Sequence, residues 1–173
     1  MEVIDLTKTI FDGMPVYSGD PEVKIDVATT VKKDGHEVRS LRLGSHTGTH
    51  VDAFSHMHEG MASLDDIPLT QFYGRAVRVT PKMDFPAHTG LFFGEDVGED
   101  VLEKIIAASP PFVGGSLSEE LESGLLAHKI VTYTDLVKLD LIPSGEVFTF
   151  FGLPLKIENG DGSPVRAIAV LGE

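Results

Sequence analysis

The 173-residue sequence contains no cysteine and no tryptophan. Without cysteine there is no disulfide framework, no thiolate metal site and no cysteine nucleophile. Positive charge is scarce too: 14 Lys and Arg stand against 27 Asp and Glu, for a formal charge of −13. Such a surface does not hold a phosphate backbone, which argues against nucleic acid as a partner. No apolar run approaches the roughly 20 residues that span a bilayer, so no membrane partner is expected. The opening MEVIDLTKTI carries acids where a signal peptide would be basic and apolar, and a cytoplasmic location is expected.

What is present is ordinary for a folded chain, with 42% apolar and 24% charged residues. The length suits one domain, residues 1–173, and is short for two. β-Branched alternation predicts strands at 23–31, 38–43, 75–79, 130–133, 147–151 and 165–171. Two helices are expected: one on Val101, Leu102, Ile105 and Ile106, and one on Leu117, Leu121, Leu125 and Leu126 behind a Ser116/Glu119 capping box. Strands at both ends with helices between them read as a single α+β domain, a strand-rich mixed or antiparallel sheet with few helices. Residues 81–98 read as loop. The turn-forming segments, such as Asp161-Gly162-Ser163-Pro164, suit an active site carried on loops.

Four of the seven histidines, His46, His50, His56 and His58, fall in the segment HTGTHVDAFSHMH. Imidazole with carboxylate is a ligand set for zinc, manganese or a similar divalent ion. Alternate strand residues share a face about 6.6 Å apart, so His50 and Asp52 can converge on one ion. His46 would lie about 13 Å from His50 on extended chain, too far to share it. The chain must therefore fold back between them, and Gly48, free to take positive φ, stands at the midpoint. Thr47, Gly48, Thr49 and Val51 are poor helix formers, which favours a looped or strand-edge site. Three ligands, His46, His50 and Asp52, leave a position open for water, as a catalytic site requires. His56 shares their parity one step further on and suits proton transfer near neutrality.

These residues carry a resemblance. HTGTHVDAFSH, residues 46–56, resembles the H-x-G-T-H-x-D-x-P-x-H motif of the cyclase / kynurenine formamidase family of metal-dependent hydrolases, with Phe54 in the place of the proline. IDLTKTI and GMPVYSGDP near the start resemble the family's opening strand and substrate-side loop, and LPLKIENGDGSPVRAIAV near the end resembles its closing hairpin. The resemblance implies a swivelling β/β/α fold, assembled as dimers or higher oligomers. It implies that His46, His50 and Asp52 bind metal, that His56 gives and takes the proton, and that Tyr17 packs on the substrate. The family completes a two-metal site with a later His and Glu; Glu122 and Thr134 stand in those places here, with His128 as another possible ligand. One divalent ion, zinc ahead of manganese, or a weakened second site beside it, is therefore expected.

The function expected on this basis is metal-dependent hydrolysis of a C–N bond in a small formamide, amide or cyclic amide. The competing expectation is a relative that keeps the first metal site and binds a metal or small molecule without turnover. A metal-free solute-binding module is a third.

Overall fold

The computed structural model describes residues 1–172. The strands are β1 (Glu2–Asp5), β2 (Lys24–Thr29), β3 (Val38–Arg42), β4 (His50–Asp52), β5 (Tyr73–Val79), β6 (Gly90–Val97), β7 (Phe112–Leu117), β8 (Val131–Thr134), β9 (Val147–Phe151), β10 (Gly162–Pro164) and β11 (Ile168–Leu171). Nine of them form one mixed sheet in the order β1-β11-β9-β5-β6-β7-β8-β4-β10, while β2 and β3 pair only with each other. The α-helices are α1 (Val31–Asp34), α2 (Leu102–Ala108) and α3 (Glu119–Ala127). No helix among the described residues is long and apolar enough to cross a membrane.

β5, β6, β7 and β8 run parallel, and the flanking strands are antiparallel. A parallel step needs a crossover, which α2 supplies between β6 and β7 and α3 between β7 and β8. The sheet separates two apolar clusters. On one face Leu91, Phe93 and Val113 meet Ile105 of α2 and Leu121 and Leu125 of α3. On the other, Phe92, Phe112, Tyr133, Phe148 and Phe150 form an aromatic core. Each fully buried Phe contributes roughly 1.5–3 kcal/mol. At the sheet's two edges the ladders run one residue further, Val165 N–H donating to Thr49 C=O (3.0 Å) beside β10 and β4 and Leu6 N–H to Ala167 C=O (2.9 Å) beside β1 and β11.

Four local expectations are corrected. Residues 90–97 are not loop but β6, a central strand. Gly90, Leu91, Phe92 and Phe93 are buried in succession, because both faces of a parallel strand are covered and its sequence does not alternate. The cap of α3 is Ser118, whose Oγ accepts from Leu121 N–H (3.3 Å); Ser116 and Leu117 belong to β7. β2 ends at Thr29, and Val31 begins the short helix α1. The closing segment is not a hairpin: β10 pairs with β4 and β11 with β1 and β9, near opposite ends of the sheet.

Candidate metal centre

The site grows out of β4 and its two neighbours. Asp52 lies opposite Thr132 of β8 and Gly162 of β10, and His50 lies opposite Thr134 and Pro164. Directly opposed strand residues present side chains to one another, so β8 supplies hydroxyls to both His50 and Asp52. The preceding turn brings His46 back over them. Gly48 at φ 63° makes that reversal, a conformation that costs a side-chain-bearing residue roughly 1–2 kcal/mol. The His46 and His50 rings end 5.1 Å apart between centroids. Just after β4, a turn of 3₁₀-helix over Phe54–His56 places the His56 ring 3.9 Å from that of His46.

Asp52 is the centre of this arrangement and is buried, at 1% exposure. Its Oδ1 lies 2.7 Å from His46 Nδ1 and 3.3 Å from His50 Nε2, and its Oδ2 accepts from Thr132 Oγ1 at 2.9 Å. His46, Asp52 and His56 each offer a ligand atom within 4.8 Å of the others. His50 stands beside that trio. Its Nδ1–H donates to Gly48 C=O (2.7 Å), which leaves Nε2 facing Asp52 Oδ1 (3.3 Å), to which it donates when protonated, and Thr134 Oγ1 (2.9 Å). That backbone carbonyl is the kind of partner that orients a ligating imidazole. Asp161 completes the ring of donors, with Oδ2 at 3.0 Å from His46 Nε2 and 3.7 Å from His56 Nδ1.

The titration behaviour of the metal-free site follows from this crowding. Burial opposes charge on His46, yet hydrogen bonds to Asp52 and Asp161 outweigh it and push its pKa up to about 9. Burial likewise opposes charge on His50, and the Asp52 carboxylate raises it nonetheless. Burial alone would raise Asp52, but its two imidazole partners hold it well below the usual carboxylate range. His56 goes the other way: burial and the neighbouring His46 charge lower it, so it stays neutral near pH 7. Burial, then the Asp52 charge, push Glu122 up to about 8. Thr132 Oγ1 lies 2.9 Å from Asp52 and 3.0 Å from Glu122 and has one proton.

Two imidazoles, a buried carboxylate and a further imidazole within reach suit a divalent ion of the zinc or manganese type. The cluster lines a cavity of about 670 Å³ together with Lys8, Tyr17 and Glu119. Tyr17 is at the mouth, 70% exposed, with its hydroxyl donating to Glu119 (3.0 Å). Glu122 lines the cavity and Thr134 touches His50, whereas His128 bonds Gly124 C=O of its own helix and does not line the cavity. Asp161 and Thr132 are the partners that sequence reasoning missed. In the sequence Asp161 is legible only as a turn residue, and its sole signal is its place inside the closing stretch that resembles the family.

The close approach of β10 sets the His46 ring. A Cβ on Gly162 would lie 2.4 Å from His46 Cε1. Gly162→Ala is therefore expected to displace that ring and lower metal affinity at least about tenfold, the range for disturbing a ligand's support. Metal titration followed by thermal melting of the metal-free variant checks this; the melt should shift little compared with the affinity.

With this geometry in view, comparison with known proteins gives a consistent class. A family model described as "Putative cyclase" matches residues 4–107, more than half of the chain. The chain belongs to the cyclase family. A kynurenine formamidase of Salinibacter ruber is 29% identical over 206 aligned positions, covering 97% of both chains. Isatin hydrolase A from Labrenzia aggregata superposes with a TM-score of 0.84 at 18% identity, over 99% of this chain and 94% of its own. A structure described as a potential metal-dependent hydrolase with cyclase activity gives 0.77 at 25% identity, over 97% and 96%.

Proposed function

We propose that this chain is a metal-dependent hydrolase that cleaves a C–N bond in a small formamide, amide or cyclic amide. The observation that carries the reading is the buried Asp52 flanked by three imidazoles at a cavity open to a small molecule. Relatives named kynurenine formamidase and isatin hydrolase agree with it. His46, His50 and Asp52 would hold one ion, zinc before manganese, with His56 beside it. A bound divalent ion supplies Lewis acidity, polarising a carbonyl and acidifying water.

The chain's own groups do the rest. Gly48 C=O and Thr134 hold His50 in one tautomer, and Thr132 orients the Asp52 carboxylate. His56, neutral near pH 7, takes the proton of the attacking water and returns it to the leaving nitrogen as the C–N bond breaks. Tyr17 at the mouth offers its ring to the substrate. The test is elemental analysis of the purified protein with a screen of aryl formamides and cyclic imides. Turnover by metal-loaded protein, lost after chelation, supports the hydrolase; bound metal without turnover overturns it.

Metal binding should also be pH-dependent with a definite sign. In the metal-free protein His46 holds a proton up to about pH 9, and a ligand imidazole must give it up. Affinity should therefore rise with pH, by up to about tenfold per unit between neutrality and that value, one proton leaving per ion. Calorimetric titration in two buffers of different ionisation enthalpy reads the released proton directly.

A further inference from the structure

Asp161 stands on the far side of the His46 ring from Asp52. His46 Nδ1 lies 2.7 Å from Asp52 Oδ1, and its Nε2 lies 3.0 Å from Asp161 Oδ2. The two nitrogens of an imidazole face away from each other, so a single ring separates the two carboxylates. Their surroundings differ: the Asp52 side chain is 1% exposed and that of Asp161 50%. His50 Nε2 converges on the inner carboxylate, 3.3 Å from the same Oδ1. The backbone holds Asp161 in place. β10 begins at the next residue, Gly162, which lies opposite Asp52. Asp161 C=O accepts from Ala53 N–H, and Gly160 C=O from Leu64 N–H, each at 2.9 Å. The His46 ring fills the space that a Cβ on Gly162 would take. Asp161 thus reaches His46 from a backbone bonded on both sides.

His46 and His50 share a pattern. Each has one ring nitrogen held from outside and the other turned to Asp52 Oδ1. In His50 the held nitrogen is Nδ1, against Gly48 C=O at 2.7 Å. In His46 it is Nε2, against Asp161. A neutral ligating imidazole keeps a single N–H, and the acceptor which that N–H finds decides which nitrogen is left for the metal. His56 stands outside the pattern: its Nδ1 is 3.7 Å from Asp161 Oδ2, beyond hydrogen-bond reach.

On the metal-binding reading proposed above, we infer that Asp161 is the positioning residue of His46. Its carboxylate accepts the Nε2–H, so that His46 ligates through Nδ1 while His50 ligates through Nε2. The test is zinc titration of the full chain as wild type, Asp161→Ala and Asp161→Asn, with proton–nitrogen correlation spectra of the imidazoles in the zinc-loaded protein. The wild-type spectrum should show His46 protonated on Nε2 and His50 on Nδ1. Asp161→Ala should bind zinc about 10–100-fold more weakly. Asp161→Asn removes the same charge but keeps an acceptor in place, so it should recover much of that loss and preserve the His46 tautomer. Charge acting through space alone would weaken both variants equally. The side chain is half exposed, so both variants should keep the wild-type circular dichroism. Equal zinc affinity in all three proteins, an equal loss in both variants, or His46 protonated on Nδ1 in the wild type would each overturn the assignment and leave the hydrolase reading standing. A wild type that binds no zinc would overturn both together.

Discussion

Asp52→Asn should remove bound metal and lower kcat/KM by at least about three orders of magnitude, because in the proposed site it deletes the anionic ligand of the divalent ion. The physical case rests on where the carboxylate sits. It is buried, touched by His46, His50 and Thr132, and no water can replace what it offers them. The neutral amide keeps the volume and part of the hydrogen bonding but no longer offsets charge on the two imidazoles. In the metal-free protein the loss should therefore also appear as stability. Breaking a buried pair by removing one partner costs about 3–5 kcal/mol. At roughly 2–4 °C per kcal/mol for a chain of this size, the melting temperature near neutral pH should fall by about 10 °C. Elemental analysis, steady-state kinetics and calorimetry on one preparation measure all three effects. A variant that keeps its metal and its rate would remove Asp52 from the centre of the chemistry.

His56→Ala should separate metal binding from turnover. The variant is expected to retain an ion and lose about 10²–10⁴ in kcat, the usual range for a positioned proton carrier. His50→Ala, in contrast, should lose both. The structure makes this pair of variants decisive, because His56 lies as close to His46 and Asp52 as a ligand would, while His50 stands to the side with its Nε2 3.3 Å from Asp52. Metal lost on substituting His56 but kept on substituting His50 would exchange their roles.

The site was readable where its residues are near in sequence and hidden where they are not. HTGTH holds both the imidazoles and the glycine that turns them toward one another, and Gly48 takes the positive φ that the spacing demanded. Thr132 and Asp161 lie 80 and 109 residues from Asp52 in number, and nothing local marks them. They arrive only through the registers Asp52 with Thr132 and Asp52 with Gly162. Glu122 could be proposed as a member by resemblance, yet its protonated state depends on burial beside another carboxylate, a property of assembly. The centre of the sheet was hidden for a different reason. Gly90 to Phe93 is covered on both faces, so the period-two signal that reveals half-buried strands never appears there.

The sequence by itself determined the chemistry available: no thiol, an acidic surface, imidazoles clustered about one aspartate, and glycine where the chain had to reverse. Those are consequences of composition and of separations of a few residues, within which backbone geometry leaves few choices. The tertiary structure alone decided which distant groups complete the site, which hairpin is left uncovered, and that two closing strands part to opposite regions of one sheet. Strand register decides such matters, and register follows from how the whole set of apolar faces packs at once rather than from any one segment.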